Sequence, residues 1–260
     1  MSIFVKSITV FPIKSLDGVS IKASGFTKMG GLKNDREFAL VDRDKKIINA
    51  KKYASIQKLR TSINLAERII TISTSNLNSE SFELNENNKQ LNEWFSDYFS
   101  KPVTLISDSE NGFPDDKEAF GPTVCSSESI KAIANWFGEK SLNNIRERFR
   151  CNIEIDGCSA FWEDQLTGKK GTEPFFKIGS VDFKAVNICQ RCVVPTRHPI
   201  TAEENNEFIK KFKKFRENEL NPLASESQFN HFYRFSVNTK TINSQENKIS
   251  IDDEVSHRLA

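Results

Sequence analysis

The chain has 260 residues, enough to bury an adequate core in one large β-rich domain or in two smaller domains. Its net charge of +2 gives no bias toward nucleic acid, and no stretch approaches the roughly 20 apolar residues of a membrane span. Because the five cysteines fit no disulfide framework and no apolar secretion signal opens the chain, we expect a cytoplasmic protein with reduced thiols, no bound nucleic acid and no stable membrane insertion.

The first 75 residues predict short strands broken by turns, a spacing typical of a β-barrel or a sandwich. We expect strands at residues 3–10, 19–26, 37–42, 46–49 and 62–73. The charged segment Asp42-Arg43-Asp44-Lys45 predicts the tip of a hairpin. Apolar residues then recur with helical spacing, which predicts an amphipathic helix followed by a strand at 103–106. The residues of the apolar face are Leu91, Trp94, Phe95, Tyr98 and Phe99.

The segment 108–121 is polar and rich in glycine, proline and acidic residues, so it predicts a loop and a domain boundary. A second helix is expected at 127–137, with Ser126 as its N-cap and Gly138 as its end. Further strands are expected at 152–155, 175–178, 181–188, 232–237 and 248–251. The predicted fold class is therefore α+β and mostly β, with a β-barrel-like domain over 1–107, a second β-barrel domain over 108–260 and a few peripheral helices.

The stretch 208–216 combines an apolar helical face with many basic residues. Phe208, Phe212 and Phe215 share that face, and four lysines and an arginine surround it. A basic amphipathic helix can lie on a membrane, dock on an acidic partner protein or be a surface helix with a solvated face. The pattern leaves all three interpretations open, and the solvated face is the commonest.

Two of the five cysteines lie in Cys189-Gln190-Arg191-Cys192, at the end of a predicted strand. A structural zinc site needs four ligands, and the other cysteines and histidines show no paired spacing. A thioredoxin-like dithiol would begin a helix, whereas Val193-Val194-Pro195-Thr196 disfavours a helix there. The remaining interpretations are a single thiolate that acts as a soft ligand or nucleophile beside Arg191, and two small buried side chains.

Other basic residues stand at strand ends or turns, where an anion pocket can form. Lys14-Ser15 follows the first strand, Arg36 closes a turn, and Arg150 and Asn152 stand at the start of another strand. Each alone is most simply a surface residue. Together with Arg191 they predict a site for a phosphorylated ligand, because guanidinium groups bind phosphate oxygens bidentately while Ser and Asn add directional donors.

Five segments along the chain form an ordered set. They are Phe11-Pro12-Ile13-Lys14-Ser15, Gly31-Leu32-Lys33-Asn34-Asp35-Arg36, Arg148-Phe149-Arg150-Cys151-Asn152-Ile153, Asp156-Gly157-Cys158 through Glu163-Asp164, and Cys189-Gln190-Arg191-Cys192. This set resembles MOSC-domain proteins with an N-terminal MOSC β-barrel domain, such as the mitochondrial amidoxime-reducing component and its bacterial relatives. The resemblance covers essentially the whole chain and implies an N-terminal MOSC-type domain over 1–107 and a MOSC domain over 108–260.

By this resemblance the protein binds the molybdenum cofactor (Mo-molybdopterin), with no pyridoxal phosphate, and Cys192 is both the thiolate ligand of molybdenum and the catalytic residue. A soft thiolate suits a metal that is already bound by sulfur. The positions that match cofactor-binding residues of the family are Lys14, Ser15, Arg36, Arg150, Asn152, Gln190, Arg191 and Cys192.

Family members reduce N-hydroxylated compounds, so the resemblance implies an oxidoreductase with a small N-hydroxylated substrate. No cysteine follows Cys192, so we expect electrons from a separate protein of ferredoxin, flavodoxin or cytochrome type. The chain departs from the family at Cys151, where proline is usual, at His198, where a carboxylate is usual, and at Phe232. Two alternatives are a cofactor or sulfur carrier without turnover, and a β-barrel protein that has lost the cofactor.

Overall fold

The fold is built mainly from β-strands. The computed structural model describes residues 2–74, 77–242 and 246–257, and these ranges hold four sheets and four α-helices, which confirms the predicted α+β, mostly β class. The strands are β1 (Phe4–Val10), β2 (Val19–Ile21), β3 (Ala23–Ser24), β4 (Phe38–Asp42), β5 (Ile47–Ile48), β6 (Arg60–Asn64), β7 (Ile69–Thr74), β8 (Leu77–Glu83), β9 (Val103–Ser107), β10 (Val124–Ser126), β11 (Ile153–Asp156), β12 (Phe175–Ile178), β13 (Val181–Gln190), β14 (Arg234–Ile242), β15 (Ile249–Ser250) and β16 (Val255–His257). The helices are α1 (Lys89–Phe99), α2 (Ser127–Phe137), α3 (Leu142–Phe149) and α4 (Phe208–Asn218).

The largest sheet among the described strands has the order β16-β12-β13-β14-β10-β11-β1-β2. Its neighbours are antiparallel except β10 and β11, which run parallel. One face of β13 is fully buried in the core, and its residues are Val181, Phe183 and Ala185. They alternate along the chain, as the two-residue period of a strand requires. Because β1 pairs with β11, the start of the chain is joined to its second half through one continuous sheet.

The N-terminal half has a core of its own. Strand β4 pairs with β5 and β9, and β6, β7 and β8 form a separate antiparallel sheet. Helix α1 closes this core with Leu91 and Phe95, which are fully buried. Asn88 caps the helix, because its Oδ1 accepts a hydrogen bond from Leu91 N at 3.1 Å. The predicted aromatic helix is therefore confirmed and packs into the core.

Both ends of helix α2 are set by the residues that flank it in the sequence. The Ser126 side chain accepts a hydrogen bond from Ser129 N at 3.1 Å, and Gly138 ends the helix in the left-handed region at φ 63°. Both boundaries agree with the prediction. Among the described residues, no helix has the length and apolar character needed to cross a membrane.

Helix α4 is fixed to the body of the protein by its inner face. Phe208 and Phe212 are buried in the core formed with α2 and α3. Arg216, on the same face, donates a hydrogen bond to Asp164, and both side chains are buried. Removing one partner of a buried ion pair leaves the other charge uncompensated, so this pair holds the helix in one position.

Two predicted strands are wrong: residues 62–73 form β6 and β7, joined by a turn, and residues 19–26 form β2 and β3, which pair in different sheets. Asn64 Oδ1 accepts hydrogen bonds from Ala66 N at 3.1 Å and from Glu67 N at 3.2 Å, and Arg68 adopts φ 56°. A side chain that satisfies the turn backbone replaces the ladder bonds of a continuous strand. Some elements lie where none is predicted from the sequence: strands β8, β10 and β16 and helix α3.

Candidate functional site

A cleft of about 1230 Å³ lies between the N-terminal half and the second half of the chain. One wall comes from loops around β1 and β4, and the other from the end of α3 and the end of β13. The residues predicted to bind the cofactor that line this cleft are Ser15, Arg36, Arg150, Asn152, Gln190, Arg191 and Cys192. The Lys14 side chain lies behind the wall, because it is buried and bonded to the loop after β9.

The irregular end of β13 places the two-cysteine segment at the cleft. The register between β13 and β14 shifts between Ile188 and Gln190, and Arg191 N donates a hydrogen bond to Tyr233 O at 3.1 Å. A shift of this kind re-aims side chains that would otherwise alternate between the two faces of a sheet. Arg191 and Cys192, although adjacent in sequence, therefore both line the cleft.

Tyr233 fixes the loop that carries Cys192, and no sequence motif predicts this role. The Tyr233 hydroxyl donates a hydrogen bond to Cys192 O at 3.1 Å. Burial raises the pKa of Tyr233, so the phenol remains a hydrogen-bond donor at neutral pH. The nearest sequence signal is the neighbouring Phe232, a position that differs from the family pattern. Phe232 itself stacks on Phe229, with ring centres 5.6 Å apart.

The Arg191 guanidinium provides positive charge beside the thiols. Its Nη1 donates to Cys189 Sγ at 3.3 Å and its Nη2 to Phe149 O at 2.5 Å, while Nε is buried without a hydrogen-bond partner in the described chain. Burial alone would lower the pKa of Arg191, but the sulfurs of Cys189, Cys151 and Cys192 raise it above its ordinary value. A charged guanidinium with an unused donor suits a thiolate or a bound anion.

Thiols from separate elements line the cleft together, and the described ranges place Cys125, Cys151, Cys189 and Cys192 there. A hydrogen bond with Cys125 lowers the pKa of Cys151, and the charge of Arg191 lowers it further against the effect of burial. The same thiol pair and burial raise the pKa of Cys125 well above its ordinary value. Cys151, which stands where the family usually has proline, therefore has a lower pKa than its partner Cys125.

Asp115, in the loop after β9, lies against two of the cations that are predicted to bind phosphate, Lys14 and Arg36. Lys14 Nζ donates to Asp115 Oδ1 at 2.7 Å and to Phe113 O at 2.8 Å. Arg36 pairs with Asp35, and its Nε lies 3.8 Å from Asp115 Oδ2. Burial alone would raise the pKa of Asp115, but Arg36 and Lys14 hold it well below its usual range. Asp115 lies in a segment whose sequence predicts only a polar loop.

Arg150 connects the two walls of the cleft. Its Nη2 donates to Leu16 O at 2.6 Å, and its guanidinium lies 4.1 Å from the centre of the Phe11 ring. Burial lowers the pKa of Arg150 to about 10, with a further contribution from Arg36, so the group remains a cation at neutral pH. Among the described residues, neither Arg150 nor Arg191 forms an ion pair with a carboxylate, and the charges of Asp17, Asp115 and Asp35 act on Arg150 only from a longer distance.

Ser15 and Asn152 take part in bonds that hold the walls. Asn152 Nδ2 donates to Thr9 O at 3.1 Å, and Ser15 Oγ accepts a hydrogen bond from Ala50 N at 3.2 Å. Asn152 is buried, whereas Gln190 is exposed at the mouth of the cleft. Asn152 therefore already donates to the backbone, the Ser15 hydroxyl accepts a backbone hydrogen bond, and Gln190 faces solvent.

The His198 imidazole belongs to a local turn. Its Nδ1 accepts hydrogen bonds from Ile200 N and Thr201 N, each at 3.3 Å. Pro195 and Pro199 line the described part of the cleft, whereas His198 between them does not. The histidine that replaces the carboxylate usual in the family therefore serves the backbone of its own loop.

The cleft suits a large anionic ligand with affinity for thiols. Within the described ranges, no group of three or more His, Cys, Asp or Glu side chains is arranged to hold a metal ion. An anionic organic group fits the cleft volume, the two arginines without an ion-pair partner (Arg150 and Arg191) and the unused Arg191 Nε. Cys192 adds one soft ligand. The fold and the site thus define a protein with a ligand cleft between two β-rich halves.

Two family models match the chain. Residues 2–101 match the MOSC N-terminal beta barrel domain, and residues 118–256 match the MOSC domain. The chain therefore belongs to the MOSC-domain family and carries the N-terminal MOSC barrel domain, as its ordered motifs predict.

Similar proteins include molybdenum cofactor sulfurases from plants and animals. The protein from Oryza sativa subsp. japonica is 25% identical over 245 residues, covering 75% of this chain and 28% of the relative. The Homo sapiens protein is 22% identical over 265 residues, covering 84% of this chain and 29% of the relative. This chain thus spans less than a third of the length of these relatives. The YuaD protein from Bacillus subtilis aligns over 99% of this chain and 98% of its own, with 11% identity and a TM-score of 0.40.

Proposed function

We propose that this protein binds the molybdenum cofactor in the cleft, with Cys192 as the thiolate ligand of molybdenum, and reduces small N-hydroxylated substrates. The observation that carries the proposal is the position of Cys192, which lines the cleft beside the charged guanidinium of Arg191. The family match supports a connection to this cofactor, as do relatives that are named molybdenum cofactor sulfurases.

Different residues of the cleft would hold different parts of such a cofactor. Arg150 and Arg191 would bind its anionic groups, because neither has a carboxylate partner among the described residues. Tyr233 would keep the Cys192 loop in place through the hydrogen bond to the Cys192 carbonyl. The bound cofactor would supply two-electron redox chemistry at a metal held by sulfur. The chain itself supplies orientation, positive charge and a bounded pocket.

A separate electron-transfer protein of ferredoxin, flavodoxin or cytochrome type would supply the electrons. The outer face of α4 supports this, because Lys210, Lys211, Lys213 and Lys214 are all exposed. The pKa of His231 is lowered by burial, by Arg234 and by Lys213. The charge of Lys213, on the outer face of α4, therefore acts on a residue close to Arg234, and Arg234 lines the cleft. An acidic donor docked there would approach the cleft from one side.

Replacement of Cys192 by Ala tests the proposal. Chemically reduced wild-type protein should reduce a model amidoxime, and Cys192→Ala should lower the rate to background because molybdenum loses its protein ligand. Cys158→Ala is the matched control, because Cys158 is half-buried outside the cleft and should keep the wild-type rate. Unchanged turnover in Cys192→Ala would overturn the assignment of the metal ligand.

A second candidate is a carrier of the cofactor or of sulfur without turnover. It is favoured by the four cleft thiols in the described chain and by relatives that are named sulfurases but match only over a part of their length. Bound pterin together with no amidoxime reduction, whichever electron donor is supplied, would favour the carrier over the reductase.

A further inference from the structure

Asp115 stands where a phosphate group would otherwise meet the cations of the N-terminal wall. One carboxylate oxygen accepts a hydrogen bond from Lys14 Nζ at 2.7 Å, and the other lies 3.8 Å from Arg36 Nε. The side chain of Asp115 is 59% exposed and lines the cleft, whereas that of Lys14 is only 8% exposed. The ammonium group is therefore fixed in the wall, and the carboxylate covers it from the cleft side.

The backbone on both sides of Asp115 is fastened to the walls. Phe113 N donates to Arg36 O at 2.8 Å, and a Cβ at Gly112 would lie 3.2 Å from Arg36 O, so the loop runs directly against that turn. On the other side, Asp116 Oδ2 accepts a hydrogen bond from Asn238 Nδ2 at 3.3 Å. With the loop anchored before and after it, the Asp115 side chain can turn into solvent without a movement of the loop.

The two walls differ in charge balance. On the N-terminal wall, Lys14 and Arg36 have two carboxylate partners, Asp35 and Asp115, so the group has no net charge. On the opposite side, Arg150 and Arg191 bond only to carbonyl oxygens and to a thiol. An anion that enters the cleft therefore meets two arginines without an ion-pair partner on one wall, whereas Lys14 and Arg36 on the other wall already hold carboxylates.

We propose that Asp115 is an internal competitor for phosphate: a phosphate monoester that binds in the cleft displaces the Asp115 carboxylate from Lys14 and Arg36, so that Asp115 limits the affinity of the cleft for phosphate. A phosphate dianion has more charge and more acceptor oxygens than a carboxylate, so it can replace Asp115 on both cations. The carboxylate is part of the same chain and acts at a high effective concentration, so displacement weakens binding. The identity of the phosphate ligand rests on the proposed function, but the competition does not.

Titration of inorganic phosphate into the full chain, produced in a host that makes no molybdenum cofactor, tests the proposal by calorimetry. We expect Asp115→Asn to lower the Kd for phosphate about tenfold, because it removes the negative charge next to Lys14 while keeping a similar shape. Asp115→Ser should also lower the Kd for phosphate. Glu118→Gln is the control for charge removal in the same loop, because Glu118 is exposed outside the cleft, and its Kd should stay at the wild-type value.

The double variant Lys14→Met/Asp115→Asn shows whether the higher phosphate affinity of Asp115→Asn depends on Lys14. Its Kd should return to about that of the wild type. An equal Kd in wild type and both Asp115 variants would overturn the proposal. An equal fall of the Kd in Glu118→Gln, or no detectable phosphate binding in any of these proteins, would overturn it too. None of these readouts needs molybdenum, so a failure here is separate from a failure of the Cys192 experiment, which tests the metal ligand alone.

Discussion

Cys151 and Cys158 lie on the same stretch of chain but have opposite surroundings. Cys151 lines the cleft close to Arg191 and shares a hydrogen bond with Cys125, and both interactions lower its pKa. Cys158 lies outside the cleft, where burial and the nearby Glu163 raise its pKa to about 12. Since the thiolate is the nucleophilic form of cysteine, these two residues should differ in reactivity at neutral pH.

Alkylation with iodoacetamide tests this difference. At pH 7.5 we expect Cys151 to react at least about tenfold faster than Cys158, because a lowered pKa leaves more thiolate at a given pH. The rate at Cys151 should rise with pH around a midpoint below the ordinary thiol value of 9.0. Cys125→Ala should slow the reaction, since it removes the hydrogen bond that stabilises the Cys151 thiolate. Peptide mapping by mass spectrometry gives the rates, and equal labelling of Cys151 and Cys158 would contradict the account.

At the scale of elements, α4 is an amphipathic helix whose apolar face is already in use. Phe208 and Phe212 are buried, and Phe215 stacks on Trp136 with ring centres 5.6 Å apart. The apolar face is therefore not free to enter a membrane, and an acidic partner or a solvated face remain as interpretations. The outward lysines are exposed, and among them Lys210 lies 3.8 Å from Glu207.

Salt dependence distinguishes the two remaining interpretations of α4. If an acidic donor docks on this face, amidoxime reduction driven by that donor should fall several-fold between about 50 and 500 mM salt, while turnover of chemically reduced protein should not. Lys211→Glu/Lys213→Glu should weaken the donor-driven rate in the same way. Lys45→Glu/Lys46→Glu, at two exposed positions of the hairpin between β4 and β5, is a charge-matched control. A donor-driven rate that is independent of salt would assign α4 a solvated face.

At the scale of the whole molecule, the cleft is held open between two halves that are tied together on both sides of it. Arg60 Nη1 donates to Pro199 O at 3.1 Å, and Arg197 Nη1 donates to Ala50 O at 2.6 Å. The pairing of β1 with β11 adds a continuous sheet across the same boundary. Arginines from each half thus cap carbonyls of the other, so the walls are positioned before a ligand binds.

Much of this arrangement could be predicted from the sequence because its signals are local. Helix α2 has a serine N-cap and a terminal glycine, and its bounds follow from them. The cleft position of Cys192 and Arg191 follows from ordered motifs in this family. The hydrogen bond from Lys14 to Asp115 could not be predicted, because the two residues are 101 positions apart and only the fold brings them together. For the same reason the bond from Tyr233 to the Cys192 carbonyl leaves no local pattern.

The central claim is that Cys192 holds molybdenum in the cleft, and the metal and pterin content of purified protein tests it most directly. Wild type and Cys158→Ala, produced in a host that makes the cofactor, should contain near-stoichiometric molybdenum and pterin. Cys192→Ala should lose the metal, because it removes the one protein thiolate that the proposed site supplies to molybdenum. Equal molybdenum in wild type and Cys192→Ala, or neither metal nor pterin in any of the three proteins, would contradict the account.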